Sequence, residues 1–178
     1  MKAILVSAGH GAGDPGAVSP NGKLKEADLA LVMRDTVASM LRARGCRVVE
    51  DGEDGQNLPL TYALTIARQT PGPKVEFHFN AGPPTATGVE ALSLPQHKPF
   101  AQALAKTVSA ATGLVARGAN GWKDQSSGQH HRLAFCQAGG VILELAFISN
   151  DGDMNRFLAN EERVAIGIAD VLERFARA

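Results

Sequence analysis

Ile4 to Gly16 reads I-L-V-S-A-G-H-G-A-G-D-P-G. A short apolar run, Ile4 to Val6, followed by a glycine-rich turn predicts a buried strand that delivers His10 to its mouth. A histidine held there is placed to bind a metal. The same residues also suit a tight βα turn whose histidine has no chemical part, and this stretch alone leaves both readings open.

Two later segments narrow the choice. Val75 to Ala81, V-E-F-H-F-N-A, predicts a strand with His78 at its carboxyl end, just before the Gly82-Pro83-Pro84 break. Val141 to Asn150, V-I-L-E-L-A-F-I-S-N, sets Glu144 inside an otherwise apolar run. A lone buried carboxylate is expensive, so this one calls for a function. Glu26 stands at the predicted start of the first helix, where it also reads as an ordinary acid favoured by the helix dipole. Two histidines and two carboxylates near the ends of separate elements have the composition of a catalytic zinc site.

Between these points, strands alternate with helices. From Glu26 the positions Ala30, Met33, Val37, Met40 and Leu41 recur at helical spacing, and Gly45 suits the position after the helix. Cys46 to Val49 reads as a second strand, Glu50 to Asn57 as a loop, and Leu58 to Gln69 as a second helix stopped before Pro71. Val75 to Phe79 is the third strand and Gly88 to Leu94 the fourth; Phe100 to Thr112 is a helix capped by Gly113. Leu114 to Arg132 is irregular around Trp122, and a loop of that length in a compact domain is functional or disordered. Leu133 to Cys136 reads as a short strand and Gly140 to Ala146 as another. A helix capped by Asn150 or Asp151 runs to Leu158, and an amphipathic helix over Glu161 to Phe175 ends the chain. The alternation predicts one α/β domain over 1–178, a three-layer fold with a mostly parallel twisted sheet and helices on both faces.

At 178 residues the chain has room for a sizeable single core, and no repeat or linker divides it. Acidic and basic side chains balance at 18 each, so no overall charge recruits nucleic acid. Cys46 and Cys136 lie in apolar contexts without a C-x-x-C pair and read as buried free thiols. The opening apolar run is too short for a signal peptide, and no stretch approaches a membrane span. The expectation is synthesis in the cytoplasm without stable membrane insertion, the oligomeric state being left open.

Gly11-x-Gly13-x-x-Gly16 formally matches a dinucleotide-binding fingerprint, but Pro15, Pro20 and a polar loop delay the helix that must start at the glycines. No G-x-S-x-G occurs, and neither cysteine sits beside a base. His97 begins a surface helix. His130 and His131 fall in the irregular loop.

The fragments A-G-H-G-A-G-D-P-G-A, Gly22 to Glu26, E-F-H-F-N-A, Gly88 to Glu90, Arg117-Gly118 and L-E-L-A-F-I-S-N occur in that order across nearly the whole chain. Together they resemble the zinc-dependent N-acetylmuramoyl-L-alanine amidases, the group that includes cell-division amidases, spore-associated amidases and phage endolysins. The resemblance implies His10, Glu26 and His78 as ligands of Zn2+ and Glu144 as the catalytic carboxylate. It implies peptidoglycan as substrate, cut between the lactyl group of N-acetylmuramic acid and L-alanine. A bare catalytic domain without a wall-binding segment further resembles a phage-type endolysin, released to the cell wall by a separate protein. Asn80, Glu90, Arg117 and His130 are candidate substrate contacts, with a structural role as the alternative for each. Departures from the family pattern include Glu76 in place of a common serine, Ala146 in place of a common glycine, and Glu50-Asp51-Gly52-Glu53 where Arg-x-x-Asp is frequent. A zinc peptidase acting on the stem peptide and a muropeptide-binding module without turnover remain as alternatives.

Overall fold

A computed structural model of the chain describes residues 1–11, 13–126 and 132–178. Its elements are β1 (Ile4–Ala8), α1 (Glu26–Ala43), β2 (Val48–Glu50), α2 (Leu60–Gln69), β3 (Lys74–Asn80) and β4 (Glu90–Ser93). A 3-10 turn (Pro95–His97) leads into α3 (Lys98–Thr112), and β5 (Trp122–Asp124), α4 (Ala134–Gln137), β6 (Val141–Phe147), α5 (Asp151–Leu158) and α6 (Glu161–Arg177) follow. The strands form a six-stranded sheet in the order β2-β1-β3-β6-β4-β5, parallel except where β4 runs antiparallel to β6. The single α/β domain with a mostly parallel sheet is the architecture the alternation of elements predicts.

Period-two alternation divides the strand residues between the two faces. Ile4 and Val6, Val75 and Phe77, and Leu143 and Leu145 join the large core, which α1, α3 and α6 cover with Ala30, Val37, Leu104, Ile168 and Leu172. On the other face, Leu5 and Ile142 pack with Ala67 of α2 and with Phe135 and Cys136 of α4. That second layer is much thinner. The intervening residues Ser7, Glu76, His78 and Glu144 share its face of the sheet, toward the carboxyl ends of the strands.

Helix ends follow local chemistry. The turn after α1 uses Gly45 with φ 75°, and α3 ends on Gly113 in the left-handed region, where a glycine carries no Cβ penalty. Asn150 caps α5 by accepting from the backbone amides of Gly152 and Asp153.

Two segments differ from expectation. Leu133 to Cys136 is not a strand: Ala134–Gln137 forms the one-turn helix α4, because both edges of β6 are already paired with β3 and β4 and no ladder remains for it to join. Its apolar residues bury Phe135 and Cys136 against the sheet instead. Within the stretch read as irregular, Trp122–Asp124 pairs with β4 as β5, a strand of three residues and too short to show alternation. Smaller shifts occur at ends: β2 begins at Val48 rather than Cys46, and α2 begins after Pro59. Among the described residues no helix is long and apolar enough to cross a membrane.

Candidate active site

The chain leaves β1 toward β2 on one side and then returns to β3 on the other, so the strand order reverses between β1 and β3. In open α/β sheets ligands bind at the carboxyl ends of strands at such a switch point. His10 lies two residues beyond β1, and His78 near the end of β3. Their rings meet edge to face, with centroids 5.1 Å apart.

Local sequence makes this approach possible. A Cβ on Gly9 would come within 2.2 Å of the His78 ring, and one on Gly16 within 2.6 Å of both His10 and Glu26. Only bare backbone lets the two rings and the carboxylate converge. His10 itself has φ 64°, unusual for a residue with a side chain. Asn57 holds that turn, its Nδ2 donating to the carbonyls of Ala8 and His10 at 2.8 and 2.5 Å.

Glu26, at the first position of α1, lies between the imidazoles. Its Oε2 is 3.1 Å from His10 Nε2 and its Oε1 is 2.9 Å from His78 Nδ1. Backbone amides of Ala17 and Phe79 donate to the same two oxygens at 2.8 and 3.0 Å. Burial works to raise the Glu26 carboxyl, but hydrogen bonds from both histidines outweigh it and hold the group well below the usual carboxylate range. The hydrogen bond to Glu26 raises His10 above its ordinary value; burial opposes a rise in His78, yet Glu26 and Glu76 carry it well above.

The outer nitrogen of each ring also faces a carboxylate. Asp14 Oδ2 lies 2.8 Å from His10 Nδ1, and Glu76 Oε1 lies 3.1 Å from His78 Nε2. Carboxylates behind imidazoles fix the tautomer and turn the opposite nitrogen toward a metal. His10, Glu26 and His78 each offer a ligand atom, all within 4.8 Å of one another, and this donor set suits zinc.

Glu144 sits beside this group. It pairs directly with His78 across β3 and β6 and with Glu90 across β6 and β4, so three polar residues form one rank on the sheet. Its Oε2 is buried without a hydrogen-bond partner, and burial, opposed by His78, pushes its carboxyl up to about 7. A recess of about 460 Å3, lined by His10, Glu26, His78, Asn80, Ile142 and Glu144 among others, gives it space for a reacting group.

Asn80, Glu90 and Arg117 form a second cluster at the same end of the sheet. Glu90 is buried and accepts from Arg117 Nε, from Lys123 Nζ at 2.7 Å and from Asn80 Nδ2 at 3.3 Å. Arg117 also stacks over Phe147, 4.9 Å from the ring centroid. Glu90 is thus committed to protein partners, whereas Asn80 lines the recess. His130 and His131 lie outside the described residues.

Sequence reasoning overlooked Asp14 and a buried chain running from Arg34 through Asp51 to Ser7. Arg34 has no exposed surface and its Nη1 donates to Asp51 Oδ1 at 3.1 Å. A signal existed: Arg34 falls on the Ala30, Met33, Val37, Leu41 stripe, where a charge demands a partner.

Fold and site together define an α/β protein whose sheet presents a metal-type donor set beside a carboxylate with one buried, unpartnered oxygen. The chain belongs to the N-acetylmuramoyl-L-alanine amidase family, whose sequence model it matches over residues 4–174. A solved structure from Neisseria meningitidis, to which N-acetylmuramoyl-L-alanine amidase activity has been ascribed, is 45% identical, with a TM-score of 0.87 and 97% of this chain and 94% of that one covered. The catalytic domain of CwlV, an N-acetylmuramoyl-L-alanine amidase from Bacillus (Paenibacillus) polymyxa var. colistinus, is 28% identical with a TM-score of 0.84 and 99% of each chain covered. The uncharacterised protein YqiI of Bacillus subtilis (strain 168) is 28% identical over 163 residues, 90% of this chain and 77% of its own length.

Proposed function

We propose that the protein is a zinc-dependent amidase that hydrolyses the bond between the lactyl group of N-acetylmuramic acid and L-alanine in peptidoglycan. The observation that carries this reading is the convergence of His10, Glu26 and His78 next to a carboxylate, Glu144, that has a buried free oxygen. His10 Nε2, His78 Nδ1 and Glu26 would hold the ion. Zinc bound by them would supply a Lewis acid that activates water near pH 7 and polarises the amide carbonyl.

The protein's own part is proton transfer and orientation. Glu144, with a carboxyl near 7, is matched to take a proton from the attacking water and give it to the departing amine. The scissile C–N bond breaks, leaving a lactyl carboxylate on the sugar and a free amino terminus on L-alanine. Asn80 lies where it can orient the amide. Glu90, held by Arg117 and Lys123, fixes the start of β4 directly opposite Glu144 on β6.

We further propose an endolysin-type role: synthesis in the cytoplasm and action on the wall after release. The test is mass spectrometry of products from purified sacculi treated with the zinc-loaded protein and with Glu144→Ala. Stem peptides with a free L-alanine amino terminus, absent with the variant, support the amidase. Cleavage inside the stem would instead make it a peptidase, and bound zinc without release a binding module. For the endolysin role, co-expression with a membrane-permeabilising protein must lyse the host, and intact cells would reject it.

A further inference from the structure

We infer that Glu76 is a positioning residue for the metal centre: it selects the His78 tautomer whose Nδ1 is free for the ion. This rests on the zinc reading above. Glu76 is 4% exposed, and a buried carboxylate must be matched by donors. Its Oε1 faces His78 Nε2 at 3.1 Å, while its Oε2 lies 3.3 Å from Ser7 Oγ. Ser7 has one proton and a nearer acceptor, Asp51 Oδ2 at 2.6 Å, so it is committed there. The His78 N–H is therefore the principal donor to Glu76.

The consequence is directional. Without an ion His78 donates from both nitrogens, Nδ1 to Glu26 at 2.9 Å and Nε2 to Glu76; when an ion takes Nδ1, the proton that stays is the one on Nε2, held by Glu76. His10 has the mirrored arrangement, Nδ1 on Asp14 and Nε2 toward Glu26. The two supports differ in burial: Asp14 is exposed and screened by water, whereas Glu76 is enclosed, so its charge acts at lower effective dielectric. Behind it, Arg34, Asp51 and Ser7 form a buried hydrogen-bonded chain that fixes the neighbouring β1 backbone, the Ala8 amide donating to Asp51 at 3.2 Å.

Competition titration of zinc against a chromophoric chelator, on metal-free wild type, Glu76→Ala, Glu76→Gln and Asp14→Ala, tests this. Removal of such outer carboxylates typically weakens metal binding by about 10–100-fold. Glu76→Ala should reach that range at unchanged far-ultraviolet circular dichroism, and Asp14→Ala should lose less. Nitrogen-15 NMR of the zinc-loaded wild type should show His78 protonated at Nε2, and Glu76→Ala should lose that slowly exchanging proton. Glu76→Gln keeps an accepting oxygen without the charge. It should retain the proton yet bind zinc several-fold more weakly, and it carries the test if Glu76→Ala does not fold. Wild-type affinity in the Glu76 variants would overturn this inference alone. A wild type that binds no zinc would overturn it together with the proposed function.

Discussion

Val75, Phe77 and Phe79 point from β3 into the thick apolar layer, whereas Glu76, His78 and Asn80, their immediate neighbours, point into a layer of hydrogen bonds. Six consecutive residues thus serve two kinds of energetics. On the first face, stabilisation scales with area removed from water, roughly 1.5–3 kcal/mol for a buried aromatic or aliphatic side chain, and is indifferent to direction. On the second, each group is costly to bury and is retained through one oriented partner. Mutations on the two faces should therefore fail in different ways, stability on one side and chemistry on the other.

The largest separation should come from Glu144→Ala. Loss of the proton-transfer group should lower the rate of amide hydrolysis by about 10²–10⁴-fold, read by product release from sacculi, with zinc content unchanged. Stability should not fall. A carboxyl raised to about 7 favours the fold below its unfolded value, and that contribution is lost as pH rises through 7. At pH 8 the metal-free variant should melt no lower than wild type, and a large drop would mean that Glu144 belongs to the structural face after all.

Phe77→Ala asks the converse. Phe77 has no exposed surface and lies at the centre of the large core, so the truncation should cost about 3–5 kcal/mol in urea unfolding. The fraction still folded should keep wild-type zinc affinity, because Phe77 points to the face of β3 opposite His78. Loss of zinc in folded Phe77→Ala would show that the faces are coupled through the β3 backbone.

The division between faces also explains what was legible in the sequence. Apolar periodicity announces area, so β1, β3, β6, α1, α3 and α6 could be placed to within a few residues, as could the layers they form. His10, His78 and Glu144 stood out because each interrupts or ends an apolar run. Partnerships are another matter. Asp14 and Glu76 are near their histidines in sequence, yet proximity alone does not show that each carboxylate backs a ring nitrogen, and nothing local indicates that Arg34 reaches Asp51 from a different element. Spacing puts Glu76 on the His78 face of β3 and Asp14 four residues from His10, but which nitrogen each faces depends on ring and turn geometry, and Arg34 meets Asp51 only through the packing of α1 on the sheet. The same holds for α4: Leu-Ala-Phe-Cys is equally apolar as strand or helix, and only the occupied edges of β6 decide between them.

A smaller effect is expected where the two faces meet at the backbone. Gly9 follows β1 with its Cα against the His78 ring, and Gly9→Ala would force a methyl to within 2.2 Å of it. The ring is held by Glu26 and Glu76 but can turn at the cost of those hydrogen bonds, so the loss should fall within the roughly 1–3 kcal/mol that overpacking entails. The displacement falls on a ligand, however. Zinc affinity should therefore drop further than thermal stability of the metal-free protein; equal losses would mean the clash is absorbed by β1 rather than by His78.

The least perturbing comparison uses the cysteines, one in each layer: Cys46 joins the large core and Cys136 the thin one. Burial raises both thiols, and it pushes Cys136 up to about 12, where its Sγ donates to the Leu92 carbonyl. A thiol titrating there is ionised to only about one part in 10⁴ at pH 8, and the thiolate is the reactive form. Iodoacetamide should therefore modify Cys136 at least ~1000-fold more slowly in the folded protein than in urea. Cys46, which is 7% exposed, should react sooner, and hydrolytic activity should persist throughout. Mass spectrometry of timed samples gives the order. If Cys136 reacts first, α4 opens while the rest of the molecule stays closed, and the thin layer is then the less stable of the two for a measurable reason: α4 is a single helical turn, held to the sheet by Phe135 and Cys136.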